Sequence, residues 1–122
     1  MENKYNVDQL FYYYLRNEKA MPIVTICIVR KGDNYARGMA ICSPYDMPVK
    51  AEGRRVARNR ALKALFNMET NGAIYRDEAV CELDTIDESY QDTIDFDYKT
   101  EFMPKLTVFE QILFGIIERG RN

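Results

Sequence analysis

The pattern of apolar and polar positions is clearest between residues 23 and 68. Residues 23–29 form a continuous apolar run rich in β-branched side chains, which is typical of a central strand. Residues 35–42 alternate larger side chains with small ones, and the Gly-Asp-Asn sequence between the two runs predicts a turn. The pattern therefore predicts a hairpin, followed by a proline-containing segment over 43–49 and a basic helix over 50–68.

Helical spacing predicts a further helix at the start of the chain. The segment from Asn6 to Gln9 has the pattern of a capping box, in which the two side chains satisfy backbone amides at a helix start. The apolar residues that follow share one helical face: Val7, Leu10, Phe11, Tyr14 and Leu15. We expect this face to point into the core, and Tyr12 and Tyr13 to lie outside it.

The last predicted helix begins at a second capping box, Thr107 to Glu110. Its core stripe is Leu106, Phe109, Ile112, Leu113, Ile116 and Ile117. Val108 and Phe114 fall away from the centre of this stripe, so the helix is apolar over more than half its circumference. We therefore expect it to bury its second side against another copy of the chain.

Acidic residues dominate between the two later helices. Strands are predicted over 79–83 and, from strict alternation, over 93–99. The segment 84–92 between them is either a solvated connection or a lid that carries Tyr90. The order is then α-β-β-α-β-β-α, which predicts one α+β domain over residues 1–122, with an antiparallel sheet flanked by helices.

Composition narrows the chemistry. The chain has 122 residues, a formal net charge of −2 and no histidine, so it lacks the usual general base and the commonest metal ligand. No cluster has metal-ligand spacing, and we expect neither an enzyme nor a cofactor or metal. Cys27, Cys42 and Cys81 are predicted to be free thiols, which suits a reducing cytoplasm. No apolar run approaches the roughly 20 residues of a membrane span.

The predicted basic helix carries the main candidate site. Gly53, Ala57, Ala61 and Ala64 form a stripe of small residues, which we expect to lie flat on the sheet. Basic residues cover the opposite side: Lys50, Arg54, Arg55, Arg58 and Lys63. Arginines suit phosphate recognition because a planar guanidinium donates paired hydrogen bonds. An ordinary solvated face, balanced by the acidic strands, explains the same charges.

Two motifs give a resemblance to a known family. The sequence from Gly38 to Asp46, GMAICSPYD, is followed by EGRRVARNRA from Glu52 to Ala61. This pattern resembles the phage anti-Thoeris family, whose members sequester cyclic ADP-ribose signals. The resemblance implies an antiparallel sheet with helices, assembled as a dimer or an oligomer of dimers such as a hexamer. It also implies that the protein binds glycocyclic ADP-ribose intact, in the cytoplasm of the infected bacterial host, and so blocks a defence effector.

The candidate ligand-binding residues come from two sources. The resemblance carries over Arg54, Asn59 and Arg60. The residue pattern adds four arginines for a pyrophosphate group and one aromatic ring for the adenine. The arginines are Arg30, Arg37, Arg55 and Arg58, and the ring is Tyr12, Phe66 or Tyr90. Arg30 and Arg37 lie on facing strands near the turn, where they either grip an anion or are solvated.

Two other functions fit the sequence less well. A small nucleic-acid-binding module could use the basic helix, although the acidic net charge makes nucleic acid an improbable partner. A nucleotide-processing enzyme would need paired carboxylates and a metal, but the acidic residues of the later strands alternate as they do on a solvated strand face.

Overall fold

The computed structural model describes residues 6–16, 19–41, 49–69, 72–73 and 99–118. The elements are β1 (Gln9–Arg16), β2 (Pro22–Lys31), β3 (Asn34–Ile41), α1 (Lys50–Asn67), β4 (Gly72–Ala73), β5 (Lys99–Phe102) and α2 (Val108–Leu113). Every strand pairing is antiparallel, and the strands lie in the order β1-β2-β3-β5-β4. The prediction of an antiparallel sheet with helices is confirmed.

The first element is a strand, so the prediction of an N-terminal helix was wrong. β1 pairs with β2 along its whole length, from Gln9 opposite Arg30 to Leu15 opposite Val24. Residues 10–15 are all apolar or aromatic, and such a run fits a helix or a strand buried on both faces. The second possibility holds here, because Tyr13 packs into the core on one face and Tyr12 on the other.

The hairpin is confirmed at the predicted place. β2 and β3 pair from Val24 opposite Ile41 to Lys31 opposite Asn34, and Gly32 in the turn has φ 61°. Glycine adopts this left-handed angle without steric strain. β2 lies between two strands, and residues 23–29 are all buried.

Helix α1 covers one face of the sheet, and its contact depends on glycine. A Cβ added to Gly38 of β3 would overlap the Ala57 carbonyl oxygen and the Ala61 amide nitrogen. The stripe of small residues predicted for α1 is therefore confirmed as its sheet-facing side, since Ala57, Ala61 and Ala64 are fully buried. The helix ends at Asn67, one residue before the predicted end, and its C-cap Met68 has φ 57°.

Helix α2 covers the other face. Its predicted capping box is confirmed, because Thr107 and Glu110 bond reciprocally to each other's backbone amides. The helix is shorter than predicted: it ends at Leu113, and Gly115 with φ 75° follows. Phe114, predicted to lie away from the core, packs edge-on against the rings of Phe11 and Tyr35.

A buried ion pair fixes α2 to the sheet. Arg37 of β3 and Glu110 of α2 are both fully buried, and the Arg37 Nη2 to Glu110 Oε1 distance is 2.5 Å. Arg37 Nε and the Tyr13 hydroxyl both donate to Glu110 Oε2, at 2.8 and 2.6 Å. Burial alone would lower the pKa of Arg37, but the hydrogen bonds and charge of Glu110 outweigh it and raise that pKa. Glu110 joins three elements.

Cys27 is a buried free thiol, as predicted. Burial raises its pKa to about 12 from 9.0. Because the folded pKa is above the unfolded one, the contribution of this thiol to stability is constant below about pH 9 and falls as the pH rises towards 12. We expect the urea midpoint to fall across this window, and to fall less in a Cys27→Ala variant. An equal fall in both proteins would contradict this role for the thiol.

Some predictions lie outside the described residues. They concern the strand over 79–83, the segment 84–92 with Tyr90, the thiols of Cys42 and Cys81, and all of the strand over 93–99 except Lys99, which begins β5. No helix in the described part of the chain is both long and apolar enough to cross a membrane.

Candidate functional site

The candidate site lies where the edge strand β1 runs beside the first half of α1. Arg54 Nη1 donates a hydrogen bond of 3.0 Å to the Tyr14 hydroxyl. One helical turn later, Arg58 approaches the Tyr12 hydroxyl closely enough to affect its ionisation. The two arginines and two tyrosines therefore form two neighbouring arginine–tyrosine contacts. We call this group the Arg–Tyr cluster.

The repeat distances of a helix and a strand explain why the two arginines line up with the two tyrosines. Residues one turn apart on a helix are separated by about 6 Å along its axis. Alternate residues of a strand lie on one face, roughly 7 Å apart. Tyr12 and Tyr14 both point to the α1 side of the sheet, and Arg54 and Arg58 lie on the flank of α1 that faces β1. Similar repeats thus place each tyrosine beside an arginine.

The Tyr12 hydroxyl keeps its proton at neutral pH. Burial is the largest influence and raises its pKa, and the neighbouring Cys27 acts in the same direction. The positive charges of Arg58 and Arg54 lower the pKa, but the net shift is upward. Tyr12 is therefore a hydrogen-bond donor next to two cations, which suits an anionic ligand and does not suit a general base.

Within the described parts of the chain, no carboxylate neutralises the arginines of the cluster. Among the described residues, neither Arg54 nor Arg58 forms an ion pair. Arg55 provides the contrast, because it lies on the outer side of α1 and pairs with Glu52 at 2.5 Å. The charge of Arg55 is thus balanced by an acid of its own helix. The acidic strands that would balance the basic face lie outside the described residues, apart from Lys99, so that alternative stays open.

Arg37 and Arg30 lie outside the cluster, and they do not form an anion-binding site together. The guanidinium of Arg37 is buried on the opposite face of the sheet, where Glu110 and the Lys105 carbonyl oxygen accept its hydrogen bonds. Arg30 lies near the turn and donates to the Gln9 side chain at 2.7 Å and to the Gly32 carbonyl oxygen at 2.9 Å. Both guanidinium groups are engaged in hydrogen bonds within the fold, and both lie away from the cluster.

The remaining predicted residues are dispersed over α1. Arg60 lies on the flank away from β1 and donates to the Met39 carbonyl oxygen at 2.7 Å. Asn59 is exposed. Phe66 is also exposed and lines an open cleft of about 590 Å³ between the β2–β3 turn and the end of α1. Of the predicted ligand-binding residues, the structure brings together Tyr12, Arg54 and Arg58.

Residues missed as site candidates surround the Tyr14 ring. Lys50 Nζ lies 5.0 Å and Arg16 Cζ 5.8 Å from the ring centroid, which are cation–π distances. The alternation Tyr12, Tyr14, Arg16 would have indicated this arrangement if residues 9–16 had been recognised as a strand. On a predicted helix these residues do not share a face.

The cluster combines three kinds of chemical group. It offers guanidinium groups, hydroxyl donors and aromatic rings, which together suit phosphate oxygens and a stacked base. Within the described residues, no group of three histidine, cysteine, aspartate or glutamate side chains is placed to hold a metal ion. Comparisons with protein-family models, curated proteins and solved structures found no match to this chain.

Proposed function

We propose that the protein is a phage-encoded sponge that binds a cyclic ADP-ribose-type nucleotide, glycocyclic ADP-ribose, and holds it intact. In the cytoplasm of an infected bacterium, this would keep the signal from its defence effector. The observation that supports the proposal is the Arg–Tyr cluster, in which Arg54 and Arg58 lie beside two tyrosines and pair with no carboxylate of the described chain. The motif resemblance supplies the identity of the nucleotide.

The diphosphate of the ligand is assigned to the two arginines. Each guanidinium donates in pairs to phosphate oxygens, and the Tyr12 hydroxyl adds a donor next to them. The ring of Tyr12 is half-buried and lies at the edge of the same surface, so it is the candidate to stack on the adenine.

Sequestration needs high affinity. A dissociation constant near nanomolar corresponds to about 12 kcal/mol, and two charge-assisted contacts of about 1.5–3 kcal/mol each supply only part of it. We therefore propose that a second copy of the chain helps to enclose the ligand. Val108, Ile116 and Ile117 of the C-terminal segment are 52%, 51% and 38% exposed, which supports a contact between copies through this segment, on the sheet face opposite the cluster.

The test is ligand retention by matched variants. Purified protein is incubated with glycocyclic ADP-ribose, free ligand is removed, and heat then releases what was bound. We expect intact ligand from the natural protein and at least 100-fold weaker binding by Arg54→Ala/Arg58→Ala, on the order of two lost charge-assisted contacts. The control is Arg55→Ala/Lys63→Ala, which removes the same charge from other sides of the same helix.

Several outcomes would contradict the proposal. Degraded ligand would indicate an enzyme, and an equal loss in both double variants would indicate general electrostatics. Failure to bind the nucleotide, together with oligonucleotide binding that weakens steeply with salt, would favour a nucleic-acid-binding module. Native mass spectrometry of the same samples reports the number of copies and the bound mass together.

A further inference from the structure

The Arg–Tyr cluster continues towards the start of α1. Lys50 precedes Arg54 by one helical turn, and Arg16 follows Tyr14 by two residues on β1. Two rows therefore run side by side, with Arg58, Arg54 and Lys50 on the helix and Tyr12, Tyr14 and Arg16 on the strand. The contacts join the rows in this order, because Arg54 bonds to Tyr14 and Lys50 lies over the same ring.

Three cations converge on the single ring of Tyr14. Lys50 and Arg16 lie within cation–π distance of its centroid, and Arg54 donates to its hydroxyl. Such contacts are worth roughly 0.5–1 kcal/mol at exposed sites, so one ring compensates little of the charge of three cations. Within the described residues, none of these three side chains forms an ion pair. An anion bound beside the ring would compensate their charge.

The N-terminus of α1 adds positive potential beside these three cations. Val49, at the N-cap, makes no side-chain capping bond, so no side chain at that position neutralises the amides of the first turn. Arg16 uses one guanidinium nitrogen to donate to the Ala20 carbonyl oxygen at 3.0 Å, and it has further N–H groups. Lys50 is exposed at the first position of the helix.

The spacing of the rows indicates what the anion is attached to. In ideal geometry, successive steps are about 6 Å along a helix and roughly 7 Å along a strand. The register of β1 shifts between Leu15 and Arg16, so the last strand step departs from this value. The two phosphorus atoms of a diphosphate share one bridging oxygen, so both fit within the step between Arg54 and Arg58. A group bound at Lys50 and Arg16 lies one step further, which is the distance that a sugar ring spans.

We propose that Lys50, Arg16 and Tyr14 form a second anion subsite, which takes a phosphate monoester one sugar away from the diphosphate. The site would then prefer ADP-ribose-type nucleotides that carry a phosphate on the adenosine ribose over those that do not. This inference rests on the proposed function for the position of the diphosphate, and it adds the class of phosphorylated ligand.

The test compares ADP-ribose with its 2′-phosphorylated form by calorimetry at physiological salt. We expect the phosphorylated ligand to bind about tenfold more tightly, because a dianionic group meets two cations. Lys50→Gln/Arg16→Gln should abolish this ratio and retain ADP-ribose binding. The control Arg55→Gln/Lys63→Gln should leave the ratio unchanged. Lys50→Gln alone, at an exposed position, should reduce the ratio in part without affecting the fold.

Equal affinity for the two ligands, or a ratio that survives Lys50→Gln/Arg16→Gln, would overturn the inference. The inference also falls if neither linear ligand binds. Retention of glycocyclic ADP-ribose separates these failures from failure of the proposed function, because it depends on Arg54 and Arg58 and needs no third phosphate.

Discussion

Replacing Glu110 with alanine is expected to destabilise the protein by about 3–5 kcal/mol, the range for breaking one half of a buried ion pair. The variant removes the nearer carboxylate of the fully buried Arg37 guanidinium and leaves only the longer contact with Glu101, at 3.5 Å. It also removes the acceptor of the Tyr13 hydroxyl and one half of the α2 capping box. Urea unfolding followed by circular dichroism measures the loss.

Matched variants test this reason for the loss. Arg55→Ala breaks the exposed pair with Glu52 and is expected to cost less than about 1 kcal/mol, because such pairs are solvated in both states. Arg37→Met/Glu110→Leu removes both buried charges and should be more stable than Glu110→Ala alone. If Glu110→Ala were as mild as Arg55→Ala, the buried pair would not fix α2 to the sheet.

Replacing Gly38 with alanine is expected to cost about 3 kcal/mol or more, which is large for one added methyl group. The added Cβ would meet backbone atoms of Ala57 and Ala61, and backbone cannot rotate out of the way. Helix α1 would have to move off the sheet, which would carry Arg54 and Arg58 away from the tyrosines of β1. We therefore expect ligand binding to fall along with stability, although Gly38 touches no ligand.

Two other glycines serve as controls for Gly38. Gly32→Ala meets no atom within 4 Å but keeps a positive φ, so it should cost only about 1–2 kcal/mol. Gly53→Ala would meet the hydroxyl oxygen of Thr25, which belongs to a side chain and not to the backbone, so it should cost less than Gly38→Ala. A Gly38→Ala variant no less stable than Gly32→Ala would show that α1 does not need this close approach.

The elements predicted correctly have local signals. The hairpin follows from an apolar run, a Gly-Asp turn and an alternating run, and the structure confirms all three. The capping box at Thr107 is equally local, and it is present. The small-residue stripe of α1 predicted its sheet-facing side because only small side chains allow a helix to lie so close to a strand.

The errors arise where distant residues decide the outcome. Residues 10–15 satisfy the helical and the strand pattern alike, and pairing with β2 selects the strand. Arg37 sits on a strand face that looks solvent-exposed until α2 covers it. Its partner Glu110 is 73 positions away, so no local pattern connects them. The early end of α2 did have a local signal in Gly115.

In the candidate site, too, local features were predictable and contacts between distant residues were not. Arg54 and Arg58 were identifiable from their spacing on the predicted helix. Their tyrosine partners depend on how β1 lies beside that helix, so Tyr14 was missed and Tyr12 was chosen only as one of three rings. Arg55 shows that exposed arginines on one helix are not equivalent, since only some lack a carboxylate within the described chain.

The most direct test of the account is nucleotide retention by Arg54→Ala/Arg58→Ala against Arg55→Ala/Lys63→Ala. The account predicts that glycocyclic ADP-ribose is recovered intact from the natural protein and from the Arg55/Lys63 variant, and is lost from the Arg54/Arg58 variant. Retention by a folded Arg54/Arg58 variant, at the level of the natural protein, would contradict the assignment of the site to the Arg–Tyr cluster.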